Sequence, residues 1–307
     1  MSAGLLFSGQ GAQSVGMGKS LYENSAAARA VYDSADAALG WSIGDLSFNG
    51  PAEALTETKV CQPALFVQGM AIVAALKETG RLPEIDAALG LSLGEFTALT
   101  YAGAFSLEDG LRTVAERGRL MQMACEATNG TMVSLIGGTV EQVRELCAAH
   151  DIDMANLNCP GQIVISGNKD ECLVAAEAAK VSRLFKMVVP LNVAGAYHSR
   201  LMQSAGDAFT EFLKGVQINA PRIPVFSNVT GAQVSSPEEI RKNLALQVTH
   251  SVLWENDMRA AAALGITNFI ECGPGKILAG MAKRIDRGLS VASVSEWAEL
   301  EALPILG

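Results

Sequence analysis

The chain is poor in histidine, in charge and in uninterrupted apolar runs. Of its 307 residues three are histidine, 18% are charged and 6% are aromatic. The six cysteines, at 61, 125, 147, 159, 172 and 272, form no C-x-x-C pair and stand at no zinc-type spacing from the histidines, so no metal site is expected. They read as small buried apolar residues of a reducing compartment. The first residues, Met1-Ser2-Ala3-Gly4-Leu5-Leu6-Phe7, put no basic segment ahead of an apolar one, unlike a secretory signal. The longest apolar stretch, Ala64 to Leu76, is broken by Gln68 and is too short to span a bilayer. A net charge of −9 disfavours nucleic acid and acidic membrane surfaces as partners. There is no internal repeat, low-complexity tract or long linker. The expectation is a soluble cytoplasmic protein.

What the chain does have is apolar residues, 49% of the total, enough for one large domain or a large one carrying a smaller one. Leu5-Leu6-Phe7 reads as a buried strand, helical patterns fill the chain to about residue 80, and Ala87-Ala88-Leu89 reads as a second strand. A helix follows it, then another that begins with a capping box, Ser106-Leu107-Glu108-Asp109. This alternation predicts an α/β domain with a mostly parallel sheet. From about 130 the order changes to β-α-β-β-α-β. Its strands are Thr131–Ile136, Met154–Leu157, Gln162–Ser166 and Phe185–Val189, and its helices run from Val140 to Ala149 and Lys169 to Lys180. That is the order of a ferredoxin-like unit. Residues 129–196 are therefore expected as a small inserted subdomain, with 1–128 and 197–307 forming the large one. In the latter, Ile223–Phe226 and Asn268–Ile270 read as further core strands.

The chemistry begins at Gly90-Leu91-Ser92-Leu93-Gly94-Glu95, a G-x-S-x-G sequence set between a strand and a helix. A sharp turn there lifts the Ser92 hydroxyl above the sheet edge. It leaves no room for side chains at positions 90 and 94, so Gly90 and Gly94 support the site. The following helix aims its N-terminal dipole at the place where an oxyanion would form.

A serine nucleophile needs a base. His150 closes a helix, where a cation suits the dipole, and needs no other explanation. His250, in Thr249-His250-Ser251, carries no clear assignment. His198 follows the inserted unit directly, at a domain junction where clefts form, and is the best candidate. The amide of Leu93, next to the nucleophile, is one candidate oxyanion donor, and that of Gln10, between Gly9 and Gly11, is a second. Arg117 borders the apolar stripe Leu111, Val114, Gly118, Met121 and Cys125, while Arg112 and Arg119 point to solvent. A guanidinium at the edge of a buried face requires an anion, either an internal carboxylate or a ligand, and the spacing does not choose between them.

Taken together these segments resemble the malonyl-CoA:acyl-carrier-protein transacylase family of fatty-acid and polyketide synthesis. The resemblance runs along nearly the whole chain. It rests on Phe7-Ser8-Gly9-Gln10-Gly11-Ala12-Gln13, the elbow with Glu95, Glu116-Arg117-Gly118 and Asn158-Cys159-Pro160-Gly161-Gln162. It continues through Tyr197-His198-Ser199-Arg200-Leu201-Met202, Gln247 seven residues before Trp254, and Glu271-Cys272-Gly273-Pro274-Gly275-Lys276. It implies an α/β-hydrolase-like large domain with an inserted ferredoxin-like one, and no cofactor. It implies that Ser92 attacks malonyl-CoA and that His198 serves as base and then acid. Gln10 and Leu93 would form the oxyanion hole, Arg117 would pair with the free malonyl carboxylate, and the carbonyl of Gln247 would orient His198. The acceptor would be the phosphopantetheine thiol of acyl carrier protein, and the chain is expected to be a monomer.

Two positions depart from the family pattern: Leu91 stands where histidine is usual, and His250-Ser251 where Ser-Pro is common. Tyr197, ahead of the base, would crowd a 2-methyl branch and favours malonyl over substituted malonyl. Lys276, Lys283, Arg284 and Arg287 face only Asp286, a local positive surplus that is expected to guide an acidic carrier protein. A thioester hydrolase using the same Ser92–His198 pair is the alternative that the sequence leaves open.

Overall fold

A computed structural model describes residues 2–305. Five strands run parallel in the larger sheet: β1 (Ala3–Phe7), β2 (Ala87–Gly90), β7 (Val225–Ser227), β9 (Asn268–Cys272) and β10 (Ser290–Val294). An edge strand, β8 (Ala232–Val234), lies antiparallel to β7, and the sheet order is β10-β9-β1-β2-β7-β8. Helices cover both faces, so β1 and β2 are buried at every residue and read as continuous apolar runs. Side chains still alternate across the sheet. Leu5, Phe7 and Ala88 feed one core, with the Thr58–Glu78 and Leu107–Ala127 helices, while Leu6, Ala87 and Leu89 feed another with Trp254, Met258 and Leu278.

The second sheet is antiparallel and has the order β4-β5-β3-β6, from β3 (Gly130–Ile136), β4 (Asp153–Cys159), β5 (Gln162–Asn168) and β6 (Met187–Pro190). Val133, Leu135, Ile163 and Ile165 pack on the Val140–Ala149 and Lys169–Ser182 helices. The opposite face sends Met132, Ala155 and Val164 into the large core. Main-chain hydrogen bonds from Leu157 to Val252 and from Val252 to Ala155 tie β4 to the segment just beyond Gln247.

The elements expected from sequence are present, with four differences. β7 begins at Val225, two residues later than the expected Ile223. β6 begins at Met187, two residues later than expected: Phe185 is in irregular backbone with its ring in the small core, and Lys186 is in a bend whose amide donates to the carbonyl of Ile136. β8 and β10 had no sequence signal: β8 is three residues long and mostly exposed, and β10 is half-buried and interrupted by serine. Ser106 does cap the Leu107–Ala127 helix by accepting from the Asp109 amide. Its hydroxyl also donates to the Asp109 carboxylate, so the side chain does not reach back to the cap's own N–H as it would in a capping box. The Thr58–Glu78 helix is long and apolar enough to cross a membrane, but 16 of its residues, Gln62 and Gln68 among them, are buried within the protein.

Candidate active site

The site lies at the carboxyl ends of β1, β2 and β7, where ligand crevices form in open α/β sheets. β2 stops at Gly90 and a helix starts at Leu93, leaving two residues for the turn. Ser92 takes φ 55°, ψ −107°, a conformation that costs an L-residue about 1–3 kcal/mol and persists only where the surroundings enforce it. The turn is tight enough that a Cβ on Gly90 would overlap the carbonyl of Gly94, and one on Gly94 would overlap the carbonyl of Phe7. Glycine is required at both positions.

Ser92 Oγ lies 2.8 Å from His198 Nε2, and His198 Nδ1 lies 2.8 Å from the carbonyl oxygen of Gln247. A neutral ring that donates from Nδ1 to that carbonyl presents its Nε2 lone pair to the serine hydroxyl. Burial, then the nearby Arg117 cation, bring the His198 pKa down to about 4, so the ring is a free base at neutral pH. His198 itself has φ 56°, a second non-glycine residue in the left-handed region at the same site.

Arg117 is buried, which burial alone disfavours for a cation, and its pKa falls to about 10. Its contacts are neutral: Nη1 donates to Gln62 Oε1 at 2.7 Å, and Nη2 donates to Gln247 Oε1 at 2.8 Å and to Ser92 Oγ at 3.0 Å. The guanidinium also sits over the Phe96 ring, 5.3 Å from its centroid. Nε has no partner, and among the described residues no carboxylate lies within 4 Å of the group. Of the two partners that the sequence leaves open, an internal carboxylate within ion-pair distance is absent among the described residues.

Gln10 is held by its side chain, which donates to Tyr197 Oη at 3.1 Å and accepts from Gln62 Nε2 at 3.4 Å; Thr58 Oγ1 shares the Tyr197 hydroxyl at 2.5 Å. The amides of Gln10 and Leu93 donate to no other group among the described residues. Around Ser92 and His198 is a cavity of about 210 Å³, walled by Leu91, Met121, Met132, Val164, Ile277 and Met281 and floored by Gln10 and Gln62. A larger hollow of about 810 Å³ lies at Trp41 and Phe212, on the face of the Leu107–Ala127 helix that carries Arg112 and Arg119. Neither Ser92 nor His198 is in its lining.

The structure thus gathers Ser92, His198, Arg117, Gln247, Gln10 and Leu93 at one place. It puts the other candidates elsewhere. His150 ends its helix, and His250 is exposed, with Nδ1 2.9 Å from the Leu246 carbonyl. Lys276, Lys283 and Arg287 are exposed, whereas the Arg284 guanidinium donates to Gln162 Oε1 and to the Pro160 carbonyl, clamping the β4–β5 turn.

Sequence reasoning missed Gln62 and Asn228. The signal for Gln62 was a polar residue at the start of a buried apolar helix. The signal for Asn228 was register: Ala88 pairs with Val225, so the residues that follow β2 and β7 emerge side by side.

A family model described as an acyl transferase domain matches residues 5–298. The chain belongs to the acyl transferase family. Among its members, the malonyl CoA-acyl carrier protein transacylase of Bacillus subtilis is 39% identical over 96% of this chain and 94% of its own length. The polyketide biosynthesis malonyl CoA-acyl carrier protein transacylase PksC of the same organism is 40% identical over 92% and 96%. Among solved acyl transferases, the acyl-carrier-protein S-malonyltransferase of Bartonella henselae superposes with a TM-score of 0.93 at 38% identity, covering 98% of both chains. A type II polyketide malonyl-transacylase in complex with its acyl carrier protein superposes with a TM-score of 0.94 at 33% identity, covering 99% of both.

Proposed function

We infer that this acyl transferase moves a malonyl group from malonyl-CoA to the phosphopantetheine thiol of an acyl carrier protein, in fatty-acid or polyketide synthesis. One observation carries the choice of substrate. A buried guanidinium 3.0 Å from the nucleophile has only neutral partners. A malonyl carboxylate would complete it, whereas acetyl would leave it unpaired, at a cost of several kcal/mol.

In the first half-reaction His198 Nε2 takes the Ser92 hydroxyl proton as Oγ attacks the thioester carbonyl. The oxyanion is held by the amides of Gln10 and Leu93, and the first helical turn beyond Ser92 adds its dipole. Collapse of the intermediate breaks the C–S bond, and the imidazolium returns its proton to the departing CoA sulfur. In the second half-reaction His198 deprotonates the carrier thiol, which attacks the malonyl ester, and the proton returns to Ser92 Oγ. Gln247 fixes the ring through its carbonyl, Arg117 holds the malonyl end, and the Gln247 side chain orients the Arg117 guanidinium. The reaction so drawn calls on no resident cofactor.

The sheet order β4-β5-β3-β6 supports reading residues 129–196 as a ferredoxin-like subdomain. The elbow at the end of β2 supports an α/β-hydrolase-like large domain formed by 1–128 and 197–307. Lys276, Lys283 and Arg287, with Arg284 at their centre, are the proposed contact for the acidic carrier. Six buried free thiols suit a reducing cytoplasm, and the reading takes the chain as a monomer.

The test is intact mass after brief mixing with malonyl-CoA or acetyl-CoA, followed by holo acyl carrier protein. A malonyl adduct that is absent in Ser92→Ala, weak with acetyl-CoA and chased onto the carrier is expected. An adduct that decays to water and ignores the carrier would make the chain a thioester hydrolase instead.

A further inference from the structure

The mechanism uses the cleft side of the elbow. Beneath it lies a second group of buried polar residues that the reaction does not touch. Asn228 and Asp257 are both wholly buried, Asn228 just beyond β7 and Asp257 in the Trp254–Ala263 helix. Every polar group of the Asn228 side chain is engaged. Its Oδ1 accepts from the Ser92 amide at 2.6 Å, and its Nδ2 donates to the Gly90 carbonyl at 2.9 Å and to Asp257 Oδ2 at 2.8 Å. Its own amide donates to Glu95 Oε2 at 3.1 Å. The side chain therefore spans the turn, holding residue 90 on one side and residue 92 on the other. Its orientation is forced, because only the oxygen can accept from an N–H and only the nitrogen can donate to a carbonyl.

Asp257 takes the one N–H of Asn228 that the elbow leaves free. Its other oxygen, Oδ1, has no partner, and among the described residues no cation lies within 4 Å of the carboxyl. Its single polar contact is thus spent on Asn228. Burial, and then the nearby Glu95 carboxyl, raise its pKa well above the ordinary carboxyl value. Ser92 needs such support, since its backbone is held in a conformation that a freed turn would leave.

We propose that Asn228 and Asp257 are positioning residues of the nucleophile: Asn228 brackets the elbow, and Asp257 acts through Asn228 to keep Ser92 Oγ in line with His198. Neither residue touches substrate. The proposal rests on Ser92 being the nucleophile but not on which acyl group it carries.

The test therefore reads serine reactivity with diisopropyl fluorophosphate, a neutral probe that needs no contact with Arg117. Asp257→Ala is expected to slow Ser92 labelling about ten-fold, the scale of a small misplacement of a reacting group. The KM for malonyl-CoA should stay within about two-fold, because the Arg117 side of the pocket is intact. Asp257→Asn, whose carboxamide oxygen keeps an acceptor for Asn228 Nδ2, should restore labelling to within about two-fold of wild type. Asp257→Leu, an apolar residue of similar reach, gives the same reading should the alanine variant not fold. Wild-type labelling in a folded Asp257→Ala or Asp257→Leu chain would overturn the bracket. So would equal slowing in Asp257→Asn and Asp257→Ala, which would make the carboxyl a packing element only. A wild-type chain that does not label at all would instead overturn the nucleophile reading, and this proposal with it.

Discussion

The two sides of Ser92 are both buried and both polar, but they solve opposite problems. On the cleft side stands a cation, Arg117, and beneath the elbow stand two carboxyls, Glu95 and Asp257. Burial pushes the Glu95 pKa up to about 7, even with Arg117 nearby, and pulls the Arg117 pKa down to about 10. The two sides do not meet directly, because Gln247 stands between them. Its Oε1 accepts from Arg117 at 2.8 Å, and its Nε2 donates to Glu95 Oε2 at 2.6 Å. A direct Arg117–Glu95 pair would satisfy the cation from within the fold. An interposed amide satisfies the geometry of both and the charge of neither. The lower side is held without a counter-ion: its carboxyls accept from amides, and burial raises both of their pKa values. The upper side keeps a charge for a ligand.

Removing the cation breaks this comparison most severely. Arg117→Leu is expected to lower kcat/KM for malonyl-CoA about 10³-fold, the scale of a buried charge-assisted recognition contact, while acylation by acetyl-CoA holds or rises. Rapid-quench acylation by both donors measures it, and equal losses with the two would remove Arg117 from acyl recognition.

Supplying the missing internal partner is the complementary change. Gln247→Glu puts a carboxylate against the guanidinium and leaves the backbone carbonyl on His198, while its second oxygen replaces the N–H that reached Glu95, so those two carboxyls must share a proton. Malonyl-CoA must then compete with a built-in anion, and its kcat/KM should fall about 10²-fold. Labelling by a neutral fluorophosphonate should change little. If labelling fell as far as malonylation, the substitution would have damaged the dyad rather than filled the anion site.

This division was half legible in the sequence. Ser92, Gly90 and Gly94 announced themselves because the elbow's steric demand writes glycines at fixed spacing. Arg117 showed as a cation on an apolar stripe, yet its lack of an acid partner depends on long-range packing that no local pattern carries. The lower side was nearly silent. Asn228 follows a three-residue strand, and Asp257 sits in the first turn of a helix, where an acid is expected for the dipole alone. Only the register of β2 against β7, with the Trp254–Ala263 helix over them, brings both beneath Ser92. The fold was more legible than the network. Core strands are written as apolar runs, whereas the peripheral β8 and β10 are held by pairing with neighbours and carry little pattern of their own.

The charge on the upper side should also be visible in the titration of His198. Burial and then Arg117 depress that pKa to about 4. The imidazole is therefore free above this value, and reactivity is lost as pH falls through it. With a neutral fluorophosphonate, the labelling rate of the wild type should fall only near pH 4. In Arg117→Leu one of the two depressing causes is gone, so the acid limb should move upward. A limb at the same pH in both proteins would show that the cation's field does not reach the ring.

The smallest effect concerns Leu91, the residue just ahead of the nucleophile. Its side chain is half-buried and packs against Gly9, at a point where a Cβ on Gly9 would collide with it. With Ile277 and Met281 it forms an apolar wall of the cavity beside Ser92. That wall cannot hold a water molecule by hydrogen bonding near the acyl ester, whereas an imidazole could. Leu91→His should leave transfer to the carrier within about two-fold, because His198 remains the base and the elbow's glycines are untouched. It should shorten the life of the malonyl adduct in the absence of carrier about three-fold, as an ordered water gains a partner within reach of the ester. The decay of adduct mass over time reads this directly. An unchanged lifetime would mean that the acyl group is shielded by the Arg117 clamp alone, and that leucine at this position is a packing choice.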